Sequence, residues 1–218
     1  MRKEDESLSR CSLNRKVTPT RRQTVLPESK LFLVAVVGCS LLAGVSRARE
    51  TNVILFAPAT RLEAFETNVG IVIIKGTTEV GTVSANAGLV AVKCRENTDT
   101  SNGHKERGLA IEITQSGQRK DRMLIDYDEL APLLKGLDYL SKLDPTISSL
   151  DSFDAGYNTK GGFRVAALGN RRSGSVQFAV RDIRQDLGPV LLSRQDMGRF
   201  YTLVEEAKKQ LDALDQKQ

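Results

Sequence analysis

Tryptophan is absent from this 218-residue chain, and histidine occurs once, at His104. One imidazole cannot furnish a zinc ligand set. A Ser–His–acid triad would have to be built on that same residue, and no Gly-x-Ser-x-Gly elbow occurs. Cysteine is scarce as well. Cys11 and Cys39 lie near the N-terminus and Cys94 stands alone beyond them, so no disulfide can form within residues 49–218. Six Pro and 17 Gly exclude collagen-like and proline-rich classes. What remains is a soluble globular composition, 40% hydrophobic and 27% charged.

The net charge of +5 is unevenly placed. Residues 1–48 hold nine Lys and Arg against four Asp and Glu, and residues 49–218 hold 23 of each. The leader therefore carries all the excess, and the neutral body has no overall field to attract a phosphate backbone.

Leu31 to Val45 runs 15 residues without a charge after a basic, polar stretch ending at Lys30. That length suits a signal peptide and falls short of the about 20 residues of a membrane span. Ser46-Arg47-Ala48 puts small residues at the two positions a signal peptidase reads. Residues 1–48 are expected to be an export signal with a long basic lead-in, cleaved after Ala48, giving a periplasmic or secreted protein. Two alternatives stand: residues 31–45 retained as a membrane anchor, or lipid attached at Cys39 in Val36-Val37-Gly38-Cys39. Membrane association is expected only through these. Arg21-Arg22 matches a twin-arginine signal poorly, because Thr24 sits where an apolar residue is usual.

Beyond a connector at 49–69, the body alternates with period two. Leu109, Ile111 and Ile113 oppose Glu112 and Thr114. Phe163, Val165 and Ala167 oppose Arg164 and Ala166, and Val176, Phe178 and Val180 oppose Gln177, Ala179 and Arg181. These are half-buried antiparallel strands. Gly70 to Lys75 and Glu79 to Ser84 read as a further pair around Gly76-Thr77-Thr78. Residues 51–69 allow a strand at Val53–Phe56 and a short helix at Thr60–Glu66, opened by Thr60 and Glu63.

Two segments switch to helical spacing: Asp126–Leu143, with Leu130, Leu133, Leu134 and Leu137, and Ser193–Leu214, with Met197, Phe200, Tyr201, Val204, Ala207 and Leu211. Asp126 with Glu129 and Ser193 with Asp196 are start signals. Pro132 predicts a distorted or later start for the first helix. Met123-Leu124-Ile125-Asp126 superposes on Val190-Leu191-Leu192-Ser193. The expected fold class is α+β, with antiparallel sheets and two packed helices, in two strand–strand–strand–strand–helix units at 70–144 and 150–218. These form one domain or two intimately packed halves.

That doubled topology resembles the Whirly and Pur families of single-strand nucleic-acid binders over about residues 70–215. The resemblance implies binding on a sheet face, where stacking needs aromatic residues. The outward slots hold Arg164, Ala166, Leu168, Gln177, Ala179 and Arg181. The stretches Leu62-Glu63-Ala64-Phe65-Glu66, Ile73-Ile74-Lys75-Gly76, Ile125-Asp126-Tyr127-Asp128-Glu129-Leu130 and Leu134-Lys135-Gly136-Leu137-Asp138-Tyr139 resemble segments of a group of bacterial exported proteins with no assigned activity. That resemblance implies export and no particular chemistry.

Candidate residues are few. His104 lies in the polar stretch Asn97–Arg107, read as a long, mobile hairpin loop with a solvated imidazole. Cys94 shares a strand face with Val90 and Val92 and reads as a buried thiol. Asp126, Asp128 and Glu129 are the densest acids and sit at a helix start, where acids are favoured electrostatically. Lys160–Arg199 holds eight basic and three acidic residues. Arg164, Arg171, Arg172, Arg181 and Arg184 are its candidate anion-binding face, with Arg164 and Arg181 together if their strands form a hairpin. No catalytic residue, metal ligand or cofactor is assigned. The expected function is a non-catalytic binding or structural module of the bacterial envelope, with an envelope protein or anionic polymer as partner. The alternatives are a single-strand nucleic-acid binder and a hydrolase without a His-based triad.

Overall fold

A computed structural model describes residues 57–85, 88–115, 119–185 and 188–216. The export signal, the cleavage site after Ala48, Cys39 and the strand reading of Val53–Phe56 lie outside these residues. The described chain is α+β. It holds two four-stranded antiparallel sheets, each a meander followed by a helix.

The first sheet runs in the order β1 (Ile73–Ala85), β2 (Gly88–Asp99), β3 (Lys105–Gln115), β4 (Arg119–Asp126). A 3-10 turn at Tyr127–Glu129 then leads into a helix at Leu130–Ser141. The second sheet runs β5 (Ser152–Asn158), β6 (Phe163–Asn170), β7 (Ser175–Asp182), β8 (Val190–Leu192), and a helix at Arg194–Asp215 closes the chain. A six-residue helix, Arg61–Glu66, precedes the first sheet. In chain order the helices are α1, α2 and α3.

The tight 3-10 turn answers the proline. With α2 beginning at Leu130, Pro132 falls in the first helical turn, where no amide needs an intrahelical acceptor. Ser193 and Asp196 form a reciprocal capping box on α3.

Two sequence readings are corrected. Gly76-Thr77-Thr78 is no turn: β1 runs through it, paired with Glu96, Arg95 and Cys94 of β2. The irregularity lies further on, as a bulge between Glu79 and Gly81. Likewise Asn97–Arg107 is not a long loop. β2 continues to Asp99 and β3 resumes at Lys105, leaving only residues 100–104 to turn. Asp99 Oδ1 accepts from Ser101 N and Oγ, and Gly103 takes φ +72°, which a tight turn needs. Polar residues on both strand faces conceal this hairpin from a hydrophobic-period reading.

The helices cross over between the units. α2 lies against β5 and β6 of the second sheet. α3 lies across β1, β2 and β3 of the first sheet and touches β7 and β8 of its own. One continuous core results. It joins Val90, Val92, Leu109, Ile111, Met123 and Ile125 of the first sheet to Phe163, Val165, Phe178 and Val180 of the second, through Leu133, Leu137, Phe200 and Val204 of the helices. The β5–β6 turn also abuts β4. Gly162 has φ +85°, and a Cβ on Gly161 would stand 1.9 Å from the Leu124 carbonyl oxygen.

Candidate binding face

The outward side of the second sheet is laid out by its register. Asn158, Arg164 and Arg181 form one row across β5, β6 and β7. Gly156, Ala166 and Ala179 form the next, and Asp154, Leu168 and Gln177 the third. Arg164 and Arg181 are therefore direct cross-strand neighbours on the solvent side. Like charges placed opposite repel unless one is neutralised. Arg164 is neutralised: its guanidinium donates to Asp154 Oδ1 at 2.8 Å and Asn158 Oδ1 at 3.1 Å. To do so it lies over Gly156, where a Cβ would stand 2.5 Å from the guanidinium carbon. Arg181 is exposed and has no ion pair among the described residues.

Ala166 and Ala179 depart from the expected wet face. They point outward yet are only 3% and 7% exposed, because they floor a depression walled by longer neighbours. Arg164, Arg181, Leu168, Asp154 and Pro189 line it, and its volume is 180 Å³. One wall carries Arg181, without an ion pair among the described residues, and another the apolar side chains of Leu168 and Pro189.

The other predicted arginines lie elsewhere. Arg171 and Arg172 sit on the β6–β7 turn, where Arg171 donates to the Ser149 carbonyl and Arg172 pairs with Asp151 at 2.6 Å. Arg184, past the opposite end of β7, pairs with Asp182 and with Glu63 of α1. The local charge excess is thus met in part by acids from outside the segment that carries it.

The acid cluster also disperses. Asp126 does not cap its own helix. Its carboxylate accepts from the backbone amides of Arg61 at 2.8 Å and Leu62 at 3.1 Å, so it caps α1 from 65 residues away. Asp128 is exposed and pairs with Arg61 and Lys160. Glu129 is buried and accepts from the Lys160 amide. Among the described residues no group of three His, Cys, Asp or Glu is arranged to hold a metal ion.

Cys94 is buried as read, and burial pushes its thiol up to about 11. Its Sγ donates to the Ala207 carbonyl of α3. His104 stacks on Phe65 with ring centroids 5.7 Å apart.

One centre was missed by sequence reasoning. Glu66, the last residue of α1, accepts from Lys75 of β1, Arg95 of β2 and Arg122 of β4. Burial alone would raise its pKa. The hydrogen bonds from Lys75 and Arg95 and the charges of Arg122 and Arg95 outweigh burial and hold the carboxyl at about 2. Lys93, nearby, pairs with Glu112 at 2.8 Å. The cations of this face are thus matched by acids within it. The four residues of the Glu66 centre are scattered over 57 positions of sequence, and no local spacing signals them.

Comparison with protein-family models and with curated proteins finds no match.

Proposed function

We propose that this chain is an exported, non-catalytic binding protein of the bacterial envelope, and that the outward face of its second sheet takes an anionic polymer or protein. The carrying observation is the depression over Ala166 and Ala179 with the exposed Arg181 on its wall. A small anionic group entering it would meet a guanidinium that has no other ion pair among the described residues, above an apolar floor. Leu31–Val45 followed by Ser46-Arg47-Ala48 supports export, and the charge balance of residues 49–218 supports a local rather than a global electrostatic attraction.

The test is retention of the protein on isolated envelope polymer across a salt gradient, with the N-terminal mass of the recovered chain read in parallel. Arg181→Glu should abolish salt-sensitive retention. Retention unchanged by that substitution overturns this reading of the face, and an uncleaved cytoplasmic chain overturns export.

A second reading, single-strand nucleic-acid binding, is favoured by the repeated four-strand-and-helix topology. The outward strand positions work against it. They offer no aromatic side chain among the described residues, so stacking would contribute nothing and affinity would rest on phosphate contacts alone. Retention on single-stranded DNA that survives Arg181→Glu would favour this reading over the first.

A further inference from the structure

Among the described residues β1 is an edge strand of the first sheet, paired only with β2. It is 13 residues long, and Ile74 to Glu79 are all exposed. Just ahead of it Val69 is 92% and Val72 68% exposed, and Ile74 within it is 58% exposed. A long open edge is a template for another strand. Proteins discourage such pairing with charged edge residues and with bulges. β1 has both, but the arrangement of its charges favours one particular strand.

We propose that the occupant is a second copy of this chain, with the two β1 strands paired antiparallel about Thr77. The case rests on self-complementarity. Lys75, Thr77 and Glu79 share the outward face, opposite Asn97, Arg95 and Lys93 of β2. With a two-fold axis through Thr77, Lys75 of one copy faces Glu79 of the other, and the same pair forms again across the axis. Gly76 lies opposite Thr78, so no bulky side chain obstructs the middle of the ladder. Shifting the axis by one residue in either direction sets Lys75 against Thr77 or Gly81 and loses both ion pairs. The bulge between Glu79 and Gly81 limits the flat ladder, so it stops the edge from accepting a long run of strand while leaving the five residues Lys75–Glu79 available. Thr77 also receives a hydrogen bond from Arg95, and that side chain is anchored in turn on Glu66, which keeps the middle of the edge in place.

Sedimentation of the protein recovered from cells expressing the full chain tests this. The unaltered protein should sediment as a monomer–dimer equilibrium. Lys75→Glu sets two like-charged pairs against each other across the axis, as does Glu79→Lys, and each should weaken self-association about tenfold. Lys75 also reaches Glu66, and Glu79 lies 3.9 Å from Lys93, so each variant is first checked for an intact thermal transition. Mixing the two single variants is decisive, because one edge is then wholly acidic and the other wholly basic. The mixture should dimerise more tightly than either variant alone. A protein that is monomeric at every concentration, or a dimer indifferent to both reversals and to mixing, overturns the proposal.

Discussion

Glu66 shows how one carboxylate can organise a surface. Three cations converge on it from three strands, and it is the last residue of α1. Its pKa is lowered from the ordinary 4.5 to about 2, so the folded state holds fewer protons than the unfolded chain between those values. The stability this group contributes is therefore complete above about pH 4.5 and is lost as pH falls toward 2. Glu66→Gln should lower stability at neutral pH by about 2 kcal/mol, discounting part of the ionisation shift for solvent at the rim. The same variant should flatten the acid limb of the stability curve, measured by urea titration from pH 5 down to pH 2.5. An acid limb unchanged by the substitution would show that the three cations do not depend on this carboxylate. Cys94, by contrast, fills core space beside Val90 and Val92, donates to the Ala207 carbonyl of α3, and has its thiol held protonated at neutral pH by burial.

At the scale of the element, α1 illustrates dependence on a distant group. Six residues are too few to form a helix by propensity. Its orphan amides are nonetheless satisfied: Arg61 and Leu62 donate to Asp126, and Glu63 donates to the Thr60 hydroxyl. Leu62 and Phe65 are buried beneath it, Leu62 against Ala110 and Leu124. Asp126→Ala should cost about 2 kcal/mol, since the buried Leu62 amide and the part-buried Arg61 amide lose a charged acceptor. Hydrogen exchange should then quicken at Arg61 and Leu62 while the amides of α3 keep their protection, because α3 carries its own capping box in Ser193 and Asp196. Equal loss of protection in both helices would mean that Asp126 supports the whole molecule and not α1 alone.

For the whole molecule, the exchange of helices between the sheets is decisive. α3 supplies core to the first sheet through Ala207 beside Cys94, and to the second through Phe200, whose ring lies 5.7 Å from that of Phe163. Tyr127, at the end of the first sheet, donates to Asp212 of the same helix. Neither sheet has a complete core without the helix that belongs, by sequence, to the other unit. Phe200→Ala should therefore cost about 3 kcal/mol and leave a single unfolding transition at a lower midpoint. Calorimetry that resolves two transitions, with only the second sheet weakened, would show that the halves are energetically separate.

Much of this architecture was legible in the residues themselves. Period-two alternation marked β3, β6 and β7, spacing by three and four marked α2 and α3, and Ser193 with Asp196 marked a helix start. Each of these signals is local, set by backbone geometry within a few residues. The pairing of Arg164 with Arg181 followed from the hairpin that their alternation implied. The continuity of β1 and the short β2–β3 turn were hidden, because both segments are polar on two faces and carry no hydrophobic period. The partner of Asp126, the crossing of the helices and the convergence on Glu66 were out of reach for a different reason. Each joins groups far apart in sequence, and a capping signal or an apolar stripe states that a partner is needed without saying which. Local periodicity thus determined the elements and their sides, and tertiary structure decided what each side meets, because burial and charge pairing act between neighbours in space.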